Sequence, residues 1–162
     1  MSRIILSLLF FAFISGGISE KAHAQCKQQV VYNCATDIGK AIYLKDFNTK
    51  LRKGQGGQVS GTKWAVVLNK GTVYRFSLCT QSGFENDVVL TLFDARHPEN
   101  NNPFAVTKSE NSNRFDFYCC KSATYYVSVR FKEDRESKKS CAVGVLSFIK
   151  KFDANKNCGG ND

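Results

Sequence analysis

The chain has 162 residues, 43% of them hydrophobic and 23% charged, with seven cysteines, two histidines and a formal net charge of +9. A domain of this size encloses a core without needing cross-links, so the cysteines reinforce a fold rather than substitute for one. Two histidines and no Cys-x-x-Cys spacing argue against a structural zinc site, which wants regular ligand pairs.

Residues 1–24 have the layout of a cleavable export signal: Arg3, an apolar run from Ile4 to Ile14, then Ala22-His23-Ala24 ahead of Gln25. That run is about half of the roughly 20 residues a bilayer span needs, so it reads as removable. Later apolar runs such as Trp64-Ala65-Val66-Val67-Leu68 are shorter still, so no transmembrane segment is expected after signal removal. Cys26 follows His23-Ala24-Gln25, which lacks the small residues of a lipidation site. The expected organisation is a signal peptide over 1–24 and one disulfide-stabilised domain over 25–162, secreted or periplasmic.

Residues 37–51 fit either period. Ile38, Ala41 and Ile42 suit a helical turn capped by Thr36 or Asp37, and Phe47, Thr49 and Leu51 alternate as a strand does. A short helix followed by a strand is the expectation, then a Gly- and Gln-rich connection over 53–61. Residues 62–68 form a β-branched run that ends in Asn69-Lys70-Gly71, a turn signal that predicts a hairpin with 72–79. In that second run Tyr74, Phe76 and Leu78 take one face and Val73, Arg75 and Ser77 the other.

Residues 88–93 read as a short strand, and the polar stretch 94–103, with His97, as an exposed loop. Residues 114–119 alternate Phe115 and Phe117 against Asp116 and Tyr118. After Lys121-Ser122-Ala123, residues 124–131 set Tyr125, Val127, Val129 and Phe131 against Tyr126, Ser128 and Arg130. These two runs predict a second hairpin. The charged stretch 132–140 reads as a loop, 141–149 as the last strand, and the tail as frayed.

Short strands at near-regular spacing, with many aromatics on inward phases, predict an all-β fold: an antiparallel β-sandwich, jelly-roll-like, with a short N-terminal helix. Gly71-Thr72-Val73-Tyr74-Arg75-Phe76, Asp87-Val88-Val89-Leu90-Thr91-Leu92-Phe93-Asp94 and Thr124-Tyr125-Tyr126-Val127-Ser128-Val129 together resemble landmarks of the bacterial pre-peptidase C-terminal domain, over about residues 63–148. That resemblance implies a jelly-roll-like sandwich that accompanies exported enzymes without catalysing anything. Ala123 stands where that family usually has a turn glycine, and the chain carries many more cysteines.

The candidates for disulfides are Cys26, Cys34, Cys79, Cys119, Cys120, Cys141 and Cys158. Seven thiols make at most three bridges, leaving one as a free thiol or as the link of a disulfide-bonded dimer. Cys26 with Cys34, and Cys79 with Cys119, are pairings the spacing allows. Adjacent Cys119 and Cys120 should point to opposite faces of a strand and so take different partners.

Removing the signal leaves a net charge of about +8, with lysines concentrated in the first third and near the end. Such a field attracts an acidic protein surface or an anionic glycan of the cell envelope, and nucleic acid is not expected outside the cytoplasm. Catalysis is not expected, since a nucleophile needs an oriented base and only His97 survives signal removal. No cofactor is expected: Glu85, Asp87 and Asp94 echo a calcium loop, and ordinary turn and strand-end chemistry accounts for these acids. Ligand contacts are expected at Tyr118, Tyr126, Arg75 and Arg130 on outer strand phases, with Tyr32 near the terminus. Three roles fit: a non-catalytic binding or accessory domain, a structural part of an envelope assembly, or a secreted protease inhibitor acting through loop 94–103 or 132–140.

Overall fold

The computed structural model describes residues 28–51, 61–94, 103–107, 113–132 and 140–158. The expected signal segment, Cys26, residues 53–60, His97 and residues 133–139 lie outside the described residues. In chain order the elements are α1 (Gln28–Thr36), β1 (Ile42–Leu51), β2 (Gly61–Leu68), β3 (Thr72–Thr80), β4 (Val88–Phe93), β5 (Ala105–Val106), β6 (Arg114–Cys119), β7 (Ala123–Phe131), β8 (Ser140–Lys151) and α2 (Ala154–Asn157).

The strands form two antiparallel four-stranded sheets, ordered β1-β8-β3-β6 and β2-β7-β4-β5. This is the wiring of a jelly roll, and the expected sandwich is what the chain forms. Alternation along the strands supplies the core: Phe47, Leu51, Phe76, Leu78 and Leu146 from one sheet meet Leu68, Leu90, Leu92, Val127 and Val129 from the other. Gly144 lies on β8 in the middle of the first sheet. A Cβ there would stand 2.8 Å from Leu90 Cδ1 and 3.4 Å from Phe47 Cδ2, so the missing side chain lets the sheets close together.

Both hairpin expectations are overturned. β2 pairs with β7, and β3 with β6 and β8, so Asn69-Lys70-Gly71 is a corner that carries the chain from one sheet to the other. Gly71 has φ of +74°, and its amide donates to the carbonyl of Cys119 at 2.9 Å. β6 and β7 likewise lie in opposite sheets, and among the described strands only β4 and β5 are chain neighbours that pair. A tight turn with a positive-φ glycine serves a sheet-to-sheet corner as well as a hairpin, and alternation does not say which strand is the partner.

The helix ends where the sequence reading started it: Thr36 is its last residue, and β1 begins at Ile42. α1 packs on the outer face of the first sheet, where Cys34 and Ile38 cover Val143 and Val145, which point away from the main core. Cys34 bonds to Cys79 and Cys120 to Cys158, in place of the Cys26–Cys34 and Cys79–Cys119 pairings the spacing allowed. Cys141 is disulfide-bonded as well. Cys119 is the free cysteine among the described residues, and it is buried. The expected fraying does not extend to residues 152–158, where α2 is capped by Asp153 and tied down by Cys158.

Candidate functional site

At one end of the sandwich the β2–β3 corner, the β6–β7 corner and the segment after β8 converge. Across the outer face of the first sheet, Tyr118 of β6 stands opposite Val73 of β3, which stands opposite Lys150 of β8. Tyr118 is 54% exposed, and its ring meets Phe152 edge-on with centroids 5.5 Å apart. Val73 between them is buried.

Five lysines frame this aromatic pair: Lys70 on the β2–β3 corner, Lys121 on the β6–β7 corner, and Lys150, Lys151 and Lys156 on the closing segment, all exposed. The frame is fixed by direct bonds. Lys70 N–H donates to Ser122 Oγ at 2.8 Å, Lys70 Nζ to Asn155 Oδ1 at 3.4 Å and Lys151 Nζ to Thr72 Oγ1 at 2.7 Å. The amide of Phe152 donates to the Gly71 carbonyl at 2.9 Å, and Cys120–Cys158 crosses the same end.

The neighbouring carboxylates are engaged elsewhere. Asp153 accepts the Asn155 amide at 3.0 Å as the cap of α2. Asp116 takes both prongs of Arg75, at 2.7 and 2.9 Å. Asp94, just past β4 in the opposite sheet, acts on the Tyr125 phenol of β7.

The four expected ligand contacts do not converge: Tyr118 and Arg75 lie on the first sheet and Tyr126 and Arg130 on the second. Arg75 spends its guanidinium on Asp116 and on the carbonyl of Ile38 at 3.4 Å, joining β3, β6 and the segment after α1. Tyr126 and Arg130 lie on the outer face of the second sheet, Tyr126 between Ala65 and Phe93 and Arg130 between Gly61 and Val89. A side chain at Gly61 would strike Arg130 Cβ at 2.8 Å, so the glycine makes room for the arginine's stem. Tyr32, on α1, is 64% exposed. The lysine frame escaped sequence reading because its members come from three separate stretches that only the jelly-roll wiring brings together.

Two other places hold titratable groups. Cys119 and Tyr125 share the Lys121 carbonyl as acceptor, at 3.2 and 2.8 Å. Burial pushes the Cys119 thiol up and, with help from Cys119 and Asp94, pushes the Tyr125 phenol far above its ordinary range, so both hold their protons at neutral pH. At the opposite end, a cleft of about 270 Å³ is lined by Leu78, Thr80, Glu85, Asn86, Val88 and Asn113 among others. Backbone amides, its own and that of Gly83, hold the Glu85 carboxyl below the usual carboxylate range. Among the described residues no group of three His, Cys, Asp or Glu side chains is placed to hold a metal, and no helix is long and apolar enough to cross a membrane.

The class this geometry defines is a disulfide-stapled jelly-roll sandwich with one basic, aromatic-bearing end. No protein-family model matches the chain, and no curated protein matches it. Among solved structures the fold is similar to PliG of Aeromonas hydrophila, a periplasmic lysozyme inhibitor of g-type lysozyme. That likeness has a TM-score of 0.54 and 9% identity and covers 67% of this chain and 88% of PliG. A weaker likeness is to accessory secretory protein 1, 2 and 3 of Streptococcus pneumoniae, with a TM-score of 0.39 and 18% identity over 68% of this chain and 85% of that one.

Proposed function

We propose that this chain is an exported, non-catalytic binding protein whose partner is an acidic macromolecule of the cell envelope or exterior. The observation that carries this reading is the lysine frame around exposed Tyr118. It gathers five exposed lysines on one cross-linked end, and a local excess of one sign of charge attracts an anionic partner. The export-signal pattern, the intramolecular disulfides and the net charge of +9 support it. The pre-peptidase-like landmarks agree with an accessory role beside exported enzymes.

The test is co-sedimentation of the purified domain (residues 25–162) with isolated envelopes. Binding is expected at about 0.01 M salt and release at about 1 M, where the screening length has fallen from roughly 30 to 3 Å. Absence of binding at low salt overturns the reading.

A second reading, a hydrolase inhibitor, is favoured by the fold shared with PliG, and it rests on architecture alone because one fold hosts many functions. Assays against a panel of lysozymes, g-type included, and secreted proteases decide it. Silence across the panel retires the inhibitor and leaves the binding protein standing.

A further inference from the structure

We propose that the lysine-framed end of the sandwich is a binding site for an acidic glycan, with Tyr118 as the platform on which a sugar ring stacks and Lys70, Lys121, Lys150 and Lys156 as partners for its carboxylate or sulfate groups. This rests on the binding reading above and adds to it the chemical class of the ligand and its place.

Three observations favour a glycan over a protein surface. First, protein interfaces centre on clustered apolar and aromatic anchors, and Tyr118 is not clustered with another exposed ring: its partner is Phe152, while Phe104, equally exposed, packs on Phe117 and Tyr125. Phe152 is half-buried behind Tyr118 and Val73 is covered. A single tyrosine braced edge-on, with an apolar body and a polar tip, suits the apolar face of one pyranose. Second, the cations are all lysines, which act as mobile point charges and tolerate the varied spacing of acid groups along a polymer, whereas planar bidentate recognition calls for arginine. The nearest arginine, Arg75, is committed to Asp116. Third, Asn69, Ser122, Asn155 and Asn157 are exposed among the lysines and supply neutral donors and acceptors of the kind that sugar hydroxyls need.

The site is also pre-organised. The Cys120–Cys158 bridge, the Lys70–Ser122 and Phe152–Gly71 hydrogen bonds and the Asp153 cap fix all three contributing segments, so little ordering remains when a ligand arrives. Positive charge is concentrated here. The other end carries Glu85 and Asp87 beside Arg114, Arg130 and Lys132, a mixed surface.

Calorimetric titration of the domain with polygalacturonate, heparin, neutral dextran and poly-L-glutamate tests this. One of the two acidic glycans is expected to bind at least about tenfold more tightly than poly-L-glutamate of matched charge, with dextran weak. Tyr118→Ala is expected to weaken glycan binding by roughly three- to tenfold, the size of an aromatic stacking contact, with poly-L-glutamate unaffected. The double variant Lys121→Glu/Lys150→Glu, at two exposed positions, is expected to abolish binding at low salt, and Tyr126→Ala on the opposite face to leave it unchanged. Melting curves confirm that the variants are folded.

Equal affinity for poly-L-glutamate and the glycans, or unchanged glycan binding in both the Tyr118 and the lysine variants, overturns the inference. Envelope co-sedimentation that persists without any acidic-glycan binding overturns it too and leaves the binding reading intact. Failure of both removes both.

Discussion

Filling the space at Gly144 is expected to destabilise the protein, and emptying the facing side chain is expected to restore it. A Cβ at Gly144 would approach Leu90 Cδ1 to 2.8 Å and Val129 Cγ2 to 3.5 Å, so the branched side chain of Gly144→Val has no room between the sheets. Overpacking of this kind costs about 1–3 kcal/mol. Leu90 is fully buried, and Leu90→Ala alone should cost about 2–5 kcal/mol through lost transfer and the cavity left behind. In Gly144→Val/Leu90→Ala the valine occupies the volume the leucine vacated, and the coupling is expected to exceed about 1 kcal/mol. Urea unfolding followed by the fluorescence of Trp64, the single tryptophan, reads all three. A loss of 2 kcal/mol moves the midpoint by about 1 M for a slope near 2 kcal/mol/M. Strictly additive costs would show that β8 and β4 do not face each other across the core, and the packing of the two sheets described above would be wrong.

Three further outcomes are expected. Cys34→Ser/Cys79→Ser opens a bridge with a sequence separation of 45, which the chain-entropy model values at about 4 kcal/mol. Hydrogen exchange should show α1 losing protection before the sandwich does. Cys119 should resist a disulfide-exchange reagent at pH 8 in the native state and react once the chain is unfolded, and the protein should run as a monomer on a non-reducing gel; rapid native labelling would contradict its burial. The Tyr43 phenol donates to Asp46 and is pushed up to about 12, with that hydrogen bond the leading cause. Its pKa is raised in the fold, so its contribution is present below pH 10 and fades as pH climbs through 12. Tyr43→Phe should lose this alkaline phase in melting temperature, and identical pH profiles would refute the assignment.

Strand content was legible because alternation is local. Tyr74, Phe76 and Leu78 turn inward as read, and so do Tyr125, Val127 and Val129. Partnership was not legible, since the Gly71 corner carries the same residues whether it folds back within a sheet or crosses to the other. β8 also blurs the pattern: Val143 and Val145 point outward yet are buried, because α1 covers them. The helix was misplaced because Thr36 and Asp37 serve a C-terminus as readily as an N-terminal cap, and Asp37 N–H bonds back to the Asn33 carbonyl at 3.1 Å. Exposure of Tyr118 was read correctly from its strand phase. Its surroundings were not, because Lys70, Lys121 and Lys150 are neighbours only through the fold.

β8 lies between β1 and β3, and Ile42 is paired with Phe148, more than a hundred residues later. The first sheet therefore cannot be completed until the last strand is available, because β1 has no partner in it before β8 arrives. Topologies dominated by such distant pairings fold slowly. For a chain exported through a narrow pore, as proposed above, this delay is useful: the chain stays thin enough to thread, and it locks only on the far side, where oxidants close its bridges.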